Sequence, residues 1–223
     1  MKICVFGVRY CDIVMYLARL LHTMGEQVLI CDRTPEKAMR LYFPDIRGLD
    51  MSDNLNSYRG VDYAMRGMLA DGVSEENYSY VFELEEITDI PRICSDQDEQ
   101  RVCLIVGDED PANAARLEEM AICLKECQRD RNLLVIRDYT GTIREQYAAM
   151  RSAVCTTSQF MLPYHRGDVR AALGMAYKGS SRFTSVSEDM YELLSGIMVV
   201  LKPEVRGRSF RKYYRMAEKG GNR

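Results

Sequence analysis

The amino-terminal stretch MKICVFGVRYCDIVMYLARLLHTMGEQVLICDRT restricts the fold of this chain more than any other segment. A short apolar run ends at Gly7, and Asp12 stands where a helix N-cap is expected. Apolar residues then recur at helical spacing until Gly25, and a second apolar run closes at Asp32. The pattern predicts a strand, a tight turn, a helix and a second strand, which together form a βαβ unit with parallel strands.

The turn after the first strand of such a unit lies at the carboxyl edge of the sheet and points backbone N–H groups at a bound ligand, usually a phosphate. A phosphate-binding loop has the pattern GxxxxGK[ST], in which a lysine neutralises the anion and a hydroxyl binds magnesium. Between Gly7 and Met15 this chain has no further glycine, no lysine and no Ser or Thr. The loop is therefore not built to hold a nucleotide in the usual way.

The dinucleotide fingerprint GxGxxG is also incomplete, because Arg9 replaces its second glycine and Asp12 its third. The Arg9 guanidinium can itself be a phosphate ligand. As an N-cap, however, Asp12 would place a carboxylate on the amides that bind an anion. Two like charges about 4 Å apart repel by roughly 4 kcal/mol at an effective dielectric constant near 20. Tight phosphate binding would need Arg9 or a partner chain to cancel that repulsion.

Length and composition favour one α/β domain without a membrane span. The chain has 223 residues, of which 47% are hydrophobic, and a net charge of −3. That charge argues against a specific nucleic-acid partner for the body of the protein. No apolar run is long enough for a span, and the sequence begins directly with a strand. We therefore expect a cytoplasmic protein, with peripheral attachment to the inner face of the membrane as an extension of that prediction.

The cysteines and histidines do not form a recognisable metal motif. The sequence has eight cysteines but no CxxC pair, and its two histidines lie far apart. Cys123 and Cys127 are one helical turn apart, which we interpret as a helix face packed on the sheet. We predict no metal site.

Strands and helices alternate along the rest of the chain, which predicts a doubly wound, mostly parallel sheet with helices on both faces. NYSYVFELEEI is expected to lie in the middle of that sheet, and RVCLIVGD, NLLVIRDY and QFMLPY are further strands. RTPEKAMRLYF and VDYAMRGMLADG predict short helices. Two capping-box pairs predict helix starts, Thr142 with Glu145 and Ser185 with Glu188. We assign residues 1–201 to the α/β domain.

The last segment, residues 202–223, is a basic tail. It contains eight Lys or Arg residues and two glutamates, and on a helix its aromatic residues share one face. A basic amphipathic helix of this kind lies on an anionic membrane or docks on an acidic partner. The alternative is a solvated terminal helix. The candidate contact residues are Phe210, Arg211, Lys212, Tyr213, Tyr214 and Arg215.

From Met1 to Leu201 the order of elements resembles the MinD/ParA family of deviant P-loop ATPases. MKICVFG is similar to the strand before the family's KGGxGKS loop, and GEQVLICDRT to its second strand. GLDMSDNL resembles a short GLxDxL element, and ENYSYVFELEE the strand that ends in a magnesium-linked aspartate. NLLVIRD resembles the strand that ends in a base-reading asparagine. FMLPYHRGDVRAALGMAYKG resembles the PYDxxxxxAxxxGK stretch beside the base.

The departures from this family define what the resemblance implies. The signature lysines and the Ser or Thr are absent, and Glu83 or Glu85 stands near the position of the aspartate. Degenerate members act as localisation or scaffolding subunits, some of them in Flp-type pilus assembly. The resemblance thus implies a pseudo-ATPase that works through protein or membrane contacts, with a homodimer expected and with vestigial ATP or ADP binding or weak ATPase activity as alternatives. We expect no bound cofactor.

A second resemblance stays open. DRTPEKAMRL is similar to the segment after the second strand of NADP-linked β-hydroxyacid dehydrogenases, where Asp32 and Arg33 would read the ribose or its phosphate. Such an enzyme needs a long helical domain with a catalytic lysine, and the later strands leave little room for it. We assign no catalytic residue. For a vestigial pocket, the residues expected to face the ligand are Gly7, Arg9, Tyr10, Asp12, Asp32, Arg33, Arg137, Pro163 and Tyr164.

Overall fold

A computed structural model of the chain describes residues 1–43, 55–65, 74–89, 101–126, 132–140, 158–178, 183 and 186–219. Its strands are β1 (Lys2–Gly7), β2 (Val28–Asp32), β3 (Leu55–Tyr58), β4 (Val61–Met65), β5 (Tyr80–Leu84), β6 (Val102–Asp108), β7 (Asn132–Asp138) and β8 (Ser158–Pro163). Its α-helices are α1 (Cys11–Thr23), α2 (Pro111–Glu126), α3 (Arg166–Lys178), α4 (Glu188–Leu201) and α5 (Arg208–Glu218). Short 3-10 turns cover Ala38–Tyr42, Glu75–Asn77 and Ile87–Asp89.

The strands form an eight-stranded sheet in the order β3-β4-β2-β5-β1-β6-β7-β8. The pairs β1–β6, β2–β4, β2–β5, β6–β7 and β7–β8 are parallel, whereas β3 and β4 form an antiparallel hairpin. Strands β2, β5 and β6 are buried along their whole length, as expected where helices cover both faces of a sheet. The predicted α/β three-layer fold with a mostly parallel sheet is confirmed.

The chain divides into two compact units. Unit 1 comprises residues 1–10 and 85–164. Within it β6 pairs with both β1 and β7, and β7 also pairs with β8. Leu117 and Met120 of α2 pack in a core with Phe6 of β1 and Ile105 of β6. The carboxyl ends of three neighbouring parallel strands, β1, β6 and β7, therefore meet at one edge of this unit.

Unit 2 comprises residues 11–84 and 165–223. Strand β2 pairs with β4 on one side and β5 on the other, and the β3–β4 hairpin extends the sheet. Helices α4 and α5 both contact α1. The basic tail is thus part of the packing of unit 2, because α5 lies on the first helix of the chain.

Two local predictions are wrong, and a third differs in its first five residues. The segment VDYAMRGMLADG, expected to carry a short helix, begins with strand β4, because Val61 and Tyr63 are buried in pairing with β2. Its residues 66–72 lie outside the described residues. RTPEKAMRLYF forms only the 3-10 turn Ala38–Tyr42, preceded by Lys37 in the left-handed region at φ 49°. Asp12 is the second residue of α1 and not its N-cap.

Other predictions fall outside the described residues or shift by a few positions. Thr142, Glu145, Ser185 and most of GLDMSDNL lie outside them, as does Cys127. The N-cap of α4 is Ser187, whose hydroxyl accepts a hydrogen bond from Met190 N at 3.1 Å. In the described part of the chain, no helix is long and apolar enough to cross a membrane.

Candidate functional site

The turn after β1 is fixed by the backbone of β6. Gly7 has φ 101°, and a Cβ atom there would lie 1.9 Å from the carbonyl oxygen of Val106. The next residue, Val8, donates its N–H to the same carbonyl at 2.9 Å. Only glycine fits this position, since both the positive φ and the approach of β6 exclude a side chain. The backbone conformation of the first turn is therefore fixed by its packing on β6.

Arg9, the residue expected to hold a phosphate, is engaged within unit 1. Its backbone is in the left-handed region at φ 52°, which is uncommon for a side chain of this size. The Arg9 Nε atom lies 3.2 Å from Oδ2 of Asp108, and the guanidinium carbon lies 5.3 Å from the ring centroid of Tyr139. The side chain is 65% exposed, whereas that of Asp108 is 4% exposed. The single cation of the first turn thus packs on a ring and pairs with a buried carboxylate.

Asp108 is the last residue of β6, and both of its carboxylate oxygens are used. Oδ2 faces Arg9, while Oδ1 accepts hydrogen bonds from Asp110 N at 3.1 Å and from Asn113 Nδ2 at 2.8 Å. The strand register places Asp108 beside Arg137 of β7. A buried carboxylate is stable only with such partners, so this aspartate is a fixed negative charge at the sheet edge.

The side chain of the neighbouring Glu109 bonds to the backbone that follows β7. Its Oε2 atom accepts hydrogen bonds from Tyr139 N and Thr140 N, both at 2.9 Å, and from Thr140 Oγ1 at 3.0 Å. Successive backbone N–H groups that converge on one point form the kind of concavity that binds anions in other proteins. Here the chain fills that concavity with its own carboxylate.

The residues expected on the base side lie on β7, β8 and the turn that follows. Arg137 is buried, and Pro163 ends β8 at the surface. Tyr164 is 51% exposed, and its ring centroid lies 5.9 Å from that of Tyr139. The structure therefore brings Arg9, Tyr139 and Tyr164 into one row, in which the two tyrosine rings are tilted by 54° to one another. Tyr10, in contrast, is buried.

In unit 2, Asp32 and Arg33 are held by their own neighbours. Asp32 is fully buried; its Oδ1 accepts the hydroxyl of Thr34 at 2.6 Å and its Oδ2 that of Tyr63 at 3.1 Å. Burial and the Asp32 charge raise the pKa of Tyr63. Arg33 Nη2 lies 3.2 Å from Oε1 of the buried Glu83. Neither residue is placed to read a ribose without breaking these contacts.

Asp12 retains part of the role expected from the sequence. It is buried in the first turn of α1, where Oδ1 accepts the N–H of Ile13 at 2.9 Å. One backbone N–H group at the start of α1 therefore already donates its hydrogen bond to a carboxylate of the chain. The helix macrodipole stabilises this negative charge at the N-terminus of α1.

The apolar face of the tail helix is buried in unit 2. Phe210 and Tyr214 of α5 are 1% and 5% exposed. Tyr214 packs edge-on against Tyr191 at 4.8 Å, and Phe183 packs in the same way against Tyr16 at 4.7 Å. These five rings, which we call the aromatic cluster, are Tyr16, Phe183, Tyr191, Phe210 and Tyr214. The prediction that Phe210 and Tyr214 contact a membrane or partner is therefore not supported, since both lie inside the unit.

The remaining tail candidates are at the surface. Arg211, Lys212 and Arg215 are exposed, and Tyr213 is half-buried. The Lys212 ammonium lies 5.9 Å from the ring centroid of Tyr213. Burial and nearby carboxylates raise the pKa of the Tyr214 hydroxyl. The outer face of α5 is thus basic rather than apolar.

Sequence reasoning missed Asp108, Glu109 and Tyr139. A usable signal existed, because the acidic run GDED directly follows the clearest strand of the chain. Parallel neighbours end at the same edge of a sheet, so acids that end β6 are expected near a turn that ends β1. The pairing of β1 with β6, which joins residues about a hundred positions apart, was needed to see this.

No protein-family model and no curated protein matches the sequence. Solved structures do match. A plasmid partition protein of Borrelia burgdorferi, bound to AMPPNP, has a TM-score of 0.58 at 10% identity, with 92% of this chain and 99% of that chain covered. MinD of Aquifex aeolicus in its complex with MinC has a TM-score of 0.54 at 10% identity, covering 98% and 95% of the two chains.

MinD of Aquifex aeolicus alone has a TM-score of 0.51 at 11% identity, with 98% of this chain and 96% of that chain covered. Identity this low carries the fold and not the activity. The mostly parallel α/β sheet described above agrees with the fold that the resemblance to MinD and ParA implied. This chain therefore has the α/β fold of the MinD/ParA ATPases.

Proposed function

We propose that this protein is a localisation or scaffolding protein of MinD/ParA type that does not hydrolyse ATP and acts through protein contacts or at an anionic membrane surface. The observation that carries the proposal is the pairing of Arg9 with Asp108. The first turn has no other cation, so a triphosphate would have to displace a buried carboxylate to obtain the positive charge of this turn.

Phosphoryl transfer depends on positioning and on electrostatic stabilisation of the transferred group. A lysine and a magnesium-binding hydroxyl normally supply both, and the turn between Gly7 and Met15 has neither. Asp108 and Glu109 add two negative charges at the edge where the phosphates would lie. These charges oppose the binding of a nucleotide in addition to its hydrolysis.

A scaffolding role needs a surface that binds another molecule. The outer face of α5 carries exposed cations, and in the described part of the chain none of them has an ion-pair partner: Arg208, Arg211, Lys212, Arg215 and Lys219. Each basic residue near an anionic bilayer contributes about 1 kcal/mol. Because Phe210 and Tyr214 are buried, this contact would be electrostatic and would not insert an apolar face.

The process is proposed from resemblance alone. Degenerate relatives of this fold serve Flp-type pilus assembly, so pilus or secretion assembly is the setting we propose. MinD, one of the similar structures, was solved in complex with MinC. A protein partner is accordingly part of the proposal, and a homodimer remains a prediction.

Thermal denaturation with and without ligand separates the alternatives. We expect ATP with Mg²⁺, ADP and NADPH each to leave the melting temperature of the full chain unchanged, and we expect no phosphate release from ATP. Stabilisation by several degrees with ATP and Mg²⁺, together with phosphate release, would contradict the proposal and favour a weakly active ATPase. Stabilisation by NADPH alone would favour the dinucleotide-binding alternative.

Membrane binding is best tested with surface variants of the full chain, because a chain cut at Lys202 would lose Phe210 and Tyr214 from the aromatic cluster. We expect the full chain to sediment with vesicles of anionic phosphatidylglycerol and phosphatidylcholine. The double variant Arg211→Glu/Arg215→Glu should lose this binding.

The matched control for that variant is Arg166→Glu/Arg170→Glu on α3, which changes the same charge on another exposed helix. It should bind vesicles as the unchanged chain does. Equal binding by all three proteins, or binding that persists in high salt, would exclude an electrostatic contact through α5.

A further inference from the structure

The outer face of helix α3 carries exposed apolar and aromatic side chains. Val169, Leu173 and Tyr177 recur every fourth residue and are 37%, 49% and 67% exposed. Side chains at this spacing lie above one another along one side of a helix. The opposite side of α3 is buried, through Ala171 and Met175. The helix therefore carries one apolar face that packs in unit 2 and a second apolar stripe at the surface.

Two arginines share that exposed stripe. Arg166 and Arg170 are both exposed, and within the described residues neither forms an ion pair. Asp168, the acidic residue of α3, is buried and accepts hydrogen bonds from Ser187 N and Ser187 Oγ, each at 2.6 Å. The stripe consequently has two positive charges and no acid of its own.

The stripe is held on a fixed support. The Asp168 carboxylate ties α3 to the N-cap of α4, whose hydroxyl also accepts the N–H of Met190. Beside it, His165 Nε2 lies 2.6 Å from Asp189 Oδ2. A helix anchored at its first turn presents its outer face without rearrangement, which lowers the entropic cost of binding.

We propose that the outer face of α3 binds an amphipathic helix of a partner protein, with acidic residues flanking its apolar stripe. Apolar side chains at every fourth position match the spacing of a helix that lies along another helix. Arg166 and Arg170 select acidic flanks, because each would gain an ion-pair partner that it lacks among the described residues. This surface differs from that of α5, whose exposed residues are cations.

A second copy of the chain fits the stripe less well. Two α3 faces in contact would bury four arginines, two from each copy, and the faces contribute no acid to compensate them. The acidic helix satisfies both the apolar and the charged part of the surface. The inference adds a partner of stated chemistry to the proposed scaffolding role, and its test uses neither nucleotide nor vesicles.

Labelled designed peptides test the proposal on the full chain by fluorescence anisotropy. One peptide is a helix with a leucine stripe flanked by glutamates. The second has lysines in place of the glutamates, and the third has the acidic composition in scrambled order. We expect the acidic helix to bind at least about tenfold more tightly than either of the others.

Three variants locate the contact. Leu173→Ser should weaken binding of the acidic helix by about tenfold, and Arg166→Glu/Arg170→Glu should reverse the preference toward the basic peptide. The control Arg211→Glu/Arg215→Glu on α5, which removes cations from a different surface, should leave binding of the acidic peptide unchanged. All three replace exposed residues, and equal melting temperatures would show that they fold.

Other outcomes would overturn the proposal. Equal binding of the acidic and scrambled peptides, or no binding of either, would show that the stripe does not recognise a helix. An equal effect of the α5 variant would reduce the binding to general charge attraction. Self-association of the unchanged chain in sedimentation, lost in Leu173→Ser, would assign the stripe to a second copy instead.

Discussion

Charged side chains are paired within the unit at the carboxyl edge of unit 1, whereas on the outer helices of unit 2 they are exposed. At the edge, Arg9, Asp108 and Glu109 bond to groups of the same unit. On the outer faces of α3 and α5, arginines such as Arg170 and Arg215 stand exposed without an ion-pair partner in the described residues. A charge that the chain satisfies itself is not available to a ligand, whereas an exposed unpaired charge is. Among the described residues, the cations at the carboxyl edge of unit 1 are therefore paired, whereas those on the outer faces of α3 and α5 are exposed.

The largest expected effect tests whether the first turn of unit 1 is fixed. Gly7→Ala should lower the free energy of unfolding by about 4 kcal/mol, the sum of positive-φ strain and a clash with the Val106 carbonyl. Gly25→Ala is the matched control, because Gly25 has φ 95° and open space where its Cβ would lie. It should cost only the strain, about 1 to 2 kcal/mol. Equal losses in urea denaturation would mean that the turn relaxes away from β6.

The next effect tests whether the tail helix belongs to the core of unit 2. Tyr214→Ala should cost about 3 kcal/mol of unfolding free energy, because it removes a buried ring from the aromatic cluster. Tyr213→Ala, one position away and half-buried, should cost less than about 1 kcal/mol. Chemical denaturation measures both. If the two variants lost similar stability, α5 would be a loosely attached helix and the membrane prediction from the sequence would regain support.

These two regions also show how much of the secondary structure can be predicted from the sequence. The strands of unit 1 were predicted correctly because RVCLIVGD and NLLVIRD are continuous apolar runs, typical of buried parallel strands. The segment from Val61 was predicted as a helix because Ala, Met, Leu and Arg favour helices. Pairing with β2 overrides that local preference.

The packing of the tail helix could not be predicted from its own residues. An apolar face that includes Phe210 and Tyr214 has the same spacing whether it faces lipid or α1. Only the tertiary contact distinguishes the two cases. In the same way, the sequence identifies Arg9 as the cation of the first turn, but its pairing with Asp108 depends on the register of strands that are distant in the sequence.

A smaller effect tests whether acids block the edge of unit 1. Asp108→Asn/Glu109→Gln keeps one hydrogen-bond acceptor at each position but removes two negative charges and the ion pair with Arg9, so it should cost about 2 kcal/mol of stability. Arg9 and the N–H groups of Tyr139 and Thr140 would then face no carboxylate. Inorganic pyrophosphate should raise the melting temperature of this variant and not that of the unchanged chain.

The control for that variant is Glu118→Gln/Glu119→Gln, which makes the same change in charge on exposed positions of α2. It should not respond to pyrophosphate. A response in the control would show that net charge alone governs the binding. A response in the unchanged chain would show that Arg9 is available despite Asp108, and the contrast between the two regions would lose its basis.

The smallest expected effect is a pH dependence at the segment that leads into α5, where Lys202 donates a hydrogen bond to Glu26. Burial raises the pKa of the Glu26 carboxyl, but hydrogen bonds from Lys202 and Ser79 and the Lys202 charge outweigh it and hold that pKa below its ordinary value. The folded state therefore binds this proton less tightly than the unfolded state does. The resulting stabilisation is present above the unfolded-state pKa of about 4.3 and is lost as the pH falls through the folded value.

Glu26→Gln should accordingly lower stability by a few tenths of a kcal/mol at pH 7 and leave it unchanged near pH 3, since a partly exposed pair contributes little. The hydrogen bond to Glu26 raises the pKa of Lys202, so the lysine's contribution is present below about pH 10.4 and is lost as the pH rises through the folded value. The exposed Glu76→Gln is the control and should show neither effect. Equal pH profiles for both variants in thermal denaturation would mean that the aromatic cluster alone holds the tail. A loss of stability that is present at pH 7 and disappears near pH 3 would show that internal charge pairing secures this helix, whose outer cations have no ion-pair partner among the described residues.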